Sequence, residues 1–200
     1  MISNIIDKNI SGLYLKNMKM TKKTEKNGTY TERLKRILDD DVSDIDSSEI
    51  LNAAYDSLEA GDIDDARDLF LININMDGHS EDSLNGLAIA LCENGEPEKA
   101  LVVIKKAVEL YGDDAITLAN MGTILAENGK FSESVEYYEK SISADPYSSE
   151  TYLGLIDLYV MFGNPAMAFL SCKRAQEALP DDPDIKETMA QILIEIAASL

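Results

Sequence analysis

Glycine returns at a fixed interval in this chain: Gly61, Gly95, Gly129 and Gly163 stand 34 residues apart. Five residues after each comes a small side chain, Ala66, Ala100, Ser134 or Ala168, and the same interval carries on to Phe70, Ile104, Tyr138 and Cys172. Upstream, Ile50, Leu84, Leu118 and Tyr152 form one column, Ala53, Leu87, Met121 and Leu155 a second, and Ala54, Ala88, Gly122 and Ile156 a third. A sequence period of roughly 20–50 residues marks supersecondary pieces that cannot bury an apolar face alone and must stack on their neighbours. The chain therefore reads as four units, 47–80, 81–114, 115–148 and 149–182.

Within a unit, apolar residues recur at spacings of three and four on both sides of the glycine, as in Leu84, Leu87, Ala88 and Leu91, then Ala100, Val103, Ile104 and Ala107. That pattern predicts two amphipathic helices per unit. Glycine suits the left-handed residue that follows the first helix. Pro97 and Pro165 stand where a second helix can start without its first N–H groups, and Pro146 and Pro180 stand where one must stop. The alanine, serine and glycine columns supply the small side chains that closely crossing helices need.

These residues resemble the tetratricopeptide repeat family over 47–182, in period, in the helix–turn–helix unit and in the small, large, Gly, Ala and Pro columns. The family's aromatic residue at the start of the first helix survives only as Tyr152, Gly78 and Gly112 stand in for proline, and Asn73 occupies the column of Ala107, Ser141 and Ala175. The first unit departs most and is expected to pack least well. The resemblance implies an all-α, right-handed solenoid of helix–turn–helix repeats. Residues 183–200, with Ile185, Met189, Ile192, Leu193 and Ile196 read as one face, are expected to form a capping helix. Ahead of the repeats, Thr31 to Leu38 reads as a short amphipathic helix followed by an acidic connector to Asp46, so that 31–46 joins the repeats to a basic arm, 1–30, expected to be mobile. Met18 and Met20 offer alternative starts, which leaves 1–17 with little weight.

Charge is uneven along these 200 residues. Residues 1–36 hold nine Lys/Arg against three acids, whereas the other 164 hold nine against thirty-four, within a net charge of −19. A body of net −25 repels nucleic-acid phosphate and anionic lipid and attracts cationic partners. With 45% hydrophobic residues the chain is too apolar to be disordered, yet no apolar run approaches the roughly 18 residues of a membrane span. Two cysteines, Cys92 and Cys172, cannot build a disulfide framework, and the first residues lack the apolar run of an export signal; a cytoplasmic location is expected.

Convergent chemistry is scarce. The single histidine, His79, falls in a turn beside Gly78, so neither a His/Cys metal cluster nor a His-assisted nucleophile can be assembled. Calcium loops starting at Asp39 or Asp44 lack glycine at the sixth position, and no phosphate-cradling glycine cluster occurs. No enzyme, cofactor or metal is expected.

The first helices, about 47–60, 81–94, 115–128 and 149–162, contain no Lys or Arg. In tetratricopeptide proteins these helices line the concave groove, so the resemblance implies an acidic groove and a basic or neutral peptide as ligand. Glu59, Glu93 and Glu127 sharpen this, because each lies two residues before its glycine, in a last helical turn whose dipole disfavours an anion by about 0.3–1 kcal/mol. Asn52 and Asn120 share a column, with Asn85 one place off it, and all three are expected on the face not used for helix pairing, where an amide can pair with a peptide backbone. Tyr55, Ile89, Thr123 and Leu153, with Asp157, complete the candidate peptide-binding set. Repeats that clamp a chaperone's terminal carboxylate do so with first-helix Lys or Arg, so that mode is not expected. Two alternatives stay open: the basic arm binds RNA or an anionic membrane while the repeats serve as scaffold, or it folds over the groove and inhibits it.

Overall fold

A computed structural model describes residues 46–198; the expectations for 1–45, the basic arm and the short helix among them, fall outside the described residues. Among the described residues there are nine helices and no strands: α1 Ser47–Glu59, α2 Ile63–Asp77, α3 Glu81–Glu93, α4 Pro97–Tyr111, α5 Ala115–Glu127, α6 Phe131–Ala144, α7 Ser149–Met161, α8 Pro165–Ala178 and α9 Pro183–Ala198. They divide between Tyr111 and Gly112 into two compact units.

Each period is one helical hairpin with capped ends. Asp46, Ser80, Asp114 and Ser148 stand 34 residues apart, and each side chain accepts a hydrogen bond from the backbone N–H three residues on, at 2.9–3.3 Å. That satisfies one of the donors a helix start leaves open. At the other end of α3, Gly95 has φ 72°, its N–H reaches the Cys92 carbonyl at 2.9 Å, and the Glu96 N–H reaches the Leu91 carbonyl at 2.9 Å. This paired closure, repeated after α1, α5 and α7, turns the chain into the second helix.

In the first unit α1 packs on α2 and α3 on α4, α2 joins the hairpins, and α1 also touches α3 directly. The small columns lie at the crossings, with Ala54, Ala66, Ala88 and Ala100 fully buried. Leu69, Phe70, Leu84, Leu87 and Ile104 fill the space between, each worth about 1.5–3 kcal/mol when removed from water. Asn73 is a tie rather than a packing defect: its amide donates to the Ser47 carbonyl, and its side-chain oxygen accepts from the Ser83 hydroxyl.

The second unit repeats this plan with α5 on α6 and α7 on α8, α6 against α7, α5 against α7, and α9 against both α7 and α8. Ser141 occupies the column of Asn73 and makes the same tie, donating to the Ala115 carbonyl at 2.7 Å and lying 3.3 Å from the Thr151 hydroxyl. Leu155, Ile156, Cys172, Ile185 and Ile192 belong to the core of this unit. Leu193 does not share their face as the sequence reading expected, being 47% exposed. Ile185 and Ile192 are two helical turns apart on the packed side, and a step of one residue rotates a side chain by about 100° away from it.

Cys172 illustrates what this core does to chemistry. Burial, with Asp157 nearby, pushes its thiol up to about 11. At pH 8 it holds only on the order of a hundredth of the thiolate of an ordinary cysteine. A disulfide exchange reagent is therefore expected to modify native Cys172 only on the timescale of unfolding. Monitoring a Cys92→Ser variant with and without denaturant checks this, and fast native labelling would contradict it.

Candidate functional site

The first helices of adjacent hairpins lie side by side, α1 with α3 in one unit and α5 with α7 in the other, and each pair presents a continuous first-helix face. On the first unit that face carries Asn52 and Glu59, both exposed, and half-buried Tyr55 on α1, with half-buried Ile89 and exposed Glu93 on α3. The Tyr55 hydroxyl already donates to the Asp82 carbonyl at 3.0 Å, and its ring meets Phe70 edge-on at a centroid distance of 5.1 Å. Burial, with the Asp82 charge beside it, pushes this hydroxyl up to about 12. Tyr55 therefore offers a ligand no group that titrates near neutral pH.

Asn85 is a correction. It is 6% exposed and packed within the first unit, not on an open face. The column of Asn52 and Asn120 is held at this repeat by Gly86, and Asn85, one residue earlier, is rotated into the helix packing.

On the second unit the face carries half-buried Asn120, exposed Thr123 and exposed Glu127 on α5, with half-buried Leu153 and exposed Asp157 on α7. Leu153 is spent partly on the core, against which it packs. Tyr138 rises from α6 between the two helices, and its hydroxyl lies 2.9 Å from Thr123 Oγ1. It passes over Gly154, where a Cβ would stand 2.8 Å from the hydroxyl oxygen. Burial raises the Tyr138 hydroxyl above its usual range, and the Asp157 and Glu127 charges add to the effect despite the Thr123 bond. Glu127 lies one turn beyond Thr123 on α5 and Asp157 about one turn beyond Gly154 on α7, so the two carboxylates border the Thr123–Tyr138 hydroxyl pair from its two helices. Partial burial also raises the Asp157 carboxyl.

The charge pattern has a structural cause. Glu59, Glu93 and Glu127 are the last residues of α1, α3 and α5, exposed and with no ion pair among the described residues. Four of the seven second-helix cations are held in ion pairs: Arg67 with Asp64 and Asp68, Lys99 with Glu96, Lys106 with Glu109, and Arg174 with Glu139 at 2.6 Å. Neutralisation is thereby concentrated on the second helices, and the first-helix faces keep their negative charge. Among the described residues, no group of three or more His, Cys, Asp or Glu is arranged to hold a metal, and no helix is long and apolar enough to cross a membrane.

Sequence reasoning missed the glycine seats, Gly86 and Gly154. The signal was present, since they lie 68 residues apart, and Phe70 and Tyr138, the aromatics they admit, share the same spacing. It also missed the apolar end of α7, where Met161 replaces the glutamate of the other first helices and is 69% exposed.

Helical hairpins packed in register within each unit, with first helices forming an exposed face, define an α-solenoid. Sequence profiles described as tetratricopeptide repeat match residues 79–146 and 125–192, together more than half of the chain. The chain belongs to the tetratricopeptide repeat family. Tetratricopeptide repeat protein 1 of Schizosaccharomyces pombe is 35% identical over 79 residues, which is 40% of this chain and 7% of that protein. The probable UDP-N-acetylglucosamine–peptide N-acetylglucosaminyltransferase SPINDLY of Hordeum vulgare is 33% identical over 82 residues, 41% of this chain and 9% of its own. The similarity thus takes in less than a tenth of either relative. Among solved structures, a thermophilic tetratricopeptide protein of Thermus thermophilus superposes with a TM-score of 0.70 at 19% identity, covering 76% of this chain and 84% of that one. PilF of Pseudomonas aeruginosa gives 0.65 at 19%, with 76% and 69% covered, and YrrB gives 0.57 at 20%, with 70% and 73% covered. These likenesses establish the α-solenoid fold, and membership of the tetratricopeptide repeat family implies a scaffold for contacts between proteins.

Proposed function

We propose that this protein is a non-catalytic adaptor whose first-helix faces hold a basic or neutral segment of a partner protein in a reducing, cytoplasmic compartment. The observation that carries the reading is the separation of charge: exposed glutamates with no ion pair among the described residues end three first helices, which hold no Lys or Arg, while the second helices carry seven cations, four of them in ion pairs. YrrB, which shares the fold, is described as having an unusual peptide-binding site, and peptide capture on this chain is consistent with that use of the architecture. Affinity would come from apolar contacts and from amides such as Asn52 pairing with the ligand backbone. The acidic field would speed encounter and reject acidic segments. The glycosyltransferase activity named for SPINDLY does not enter this reading, because the similarity takes in only 9% of that protein.

Salt is the direct test. Exposed charges are screened over about 8 Å at physiological ionic strength. Calorimetry with a Lys/Arg-containing peptide is expected to show affinity falling at least about tenfold between roughly 50 and 500 mM NaCl, chiefly through slower association. A salt-independent affinity would refute the electrostatic part, and no binding of any cationic peptide would refute the whole.

A further inference from the structure

The column that puts glutamate at the ends of α1, α3 and α5 puts Met161 at the end of α7. Met161 is 69% exposed, and Val160 beside it is 37% exposed. The helix after α8 extends this feature, because α9 continues the first-helix columns. Asp182 caps α9 from the column of Ser148, with its carboxylate 3.0 Å from the Ile185 N–H, and Ile185 and Ile192 are buried in the columns of Thr151 and Leu158. Ile194 therefore occupies on α9 the place that Val160 occupies on α7, and it is 69% exposed. Three apolar side chains face solvent on adjoining helices of a chain that otherwise places acids at its first-helix ends.

Polar groups border them. Asp157 precedes Val160 and Met161 by three and four residues, so all three lie on one side of α7 within about one turn, 5.4 Å. Across the face, Glu127 stands one turn beyond Thr123 on α5 and Asp157 about one turn beyond Gly154 on α7, on either side of the Thr123–Tyr138 hydroxyl pair. A second copy of the chain, at net −19, would bring like charge onto these carboxylates, whereas a cationic segment would neutralise them.

We infer that the first-helix face of the second unit selects a segment pairing a Lys or Arg with a bulky apolar residue two positions away, the cation against Glu127 and Asp157 and the apolar side chain on Val160, Met161 and Ile194. The spacing follows from geometry. Side chains on one face of an extended strand recur about every 6.6 Å, close to the turn that separates Asp157 from Met161. This inference rests on the peptide-binding reading above and adds to it a motif and a place.

The test uses the full chain and two capped, otherwise uncharged peptides of equal length, one containing Arg-Ser-Leu and the other Arg-Ser-Ser. Wild type is expected to bind the leucine peptide at least about fivefold more tightly. In a Met161→Ser/Ile194→Ser variant, whose changes lie at exposed positions and whose unfolding midpoint should match wild type, that preference should vanish while the serine peptide keeps its affinity. Equal affinity of wild type for both peptides, or a preference that survives in the variant, overturns the motif and leaves the basic-segment reading standing. If neither peptide binds at low salt, nor any cationic peptide, the peptide-binding reading fails and this inference fails with it.

Discussion

Gly86→Leu destabilises the first unit by about 3 kcal/mol, the upper end of what overpacking a buried site ordinarily costs. The backbone conformation is not at issue, since Gly86 lies inside α3. The obstacle is a ring. A Cβ built at Gly86 stands 2.2 Å from two carbons of the fully buried Phe70, and Phe70 is held on its other side by Tyr55. Helix propensity favours the substitution by under about 1 kcal/mol, too little to offset the clash. Because the cause is one pair, the remedy is specific: Phe70→Ala, costly alone by about 3–5 kcal/mol, should be partly repaired by Gly86→Leu as the new side chain enters the vacated space. A double-mutant cycle in urea should return a coupling of about 1–3 kcal/mol of compensating sign. Additive effects would mean that the ring and the glycine do not share one space.

The same pair marks the limit of what periodicity can tell. The hairpins, their closing glycines and their small crossing residues were legible because each has a local physical cause that recurs every 34 residues. Gly86 and Gly154 recur only in alternate repeats because each answers an aromatic side chain of the preceding helix, and the Asn73 and Ser141 ties alternate likewise because each answers a hydroxyl of the following helix, that of Ser83 or Thr151. A search that asks whether all four units agree discards such alternation as noise. Leu193 was misread for a related reason: an apolar residue next to a packed one satisfies a loose helical pattern, and the rotation of about 100° between neighbours decides which is covered.

The candidate site was legible as a set of first-helix columns, and its acidity followed from counting, since the absence of Lys and Arg there is a fact of sequence. What columns could not reveal is which side chains the fold consumes. Asn85 is packed inside, Leu153 is half spent on the core, and the hydroxyls of Tyr55 and Thr123 have partners within the chain. One pairing of a second-helix cation was equally invisible, because Arg174 finds Glu139 across 35 residues, on a different helix.

Reversing Glu59, Glu93 and Glu127 to lysine is expected to weaken a cationic peptide about 100-fold at low salt, with most of the loss recovered in high salt, where both proteins bind weakly. The fold should not suffer. Each glutamate is the exposed last residue of its helix, beside the negative end of the macrodipole, so each lysine there should stabilise by about 0.3–1 kcal/mol. The unfolding midpoint therefore rises while binding falls, a combination that general damage to the protein cannot produce. Bulk acidity is separated by a control, Glu98→Lys/Glu136→Lys/Glu177→Lys, which makes the same change in net charge at exposed positions of α4, α6 and α8. If position matters, the control, compared at physiological ionic strength, loses at most a few-fold in affinity, because charges beyond a screening length of about 8 Å act weakly on the bound peptide. Should the two triple variants lose affinity equally, the glutamate column has no place of its own in recognition and only the overall field of the chain acts on its partners.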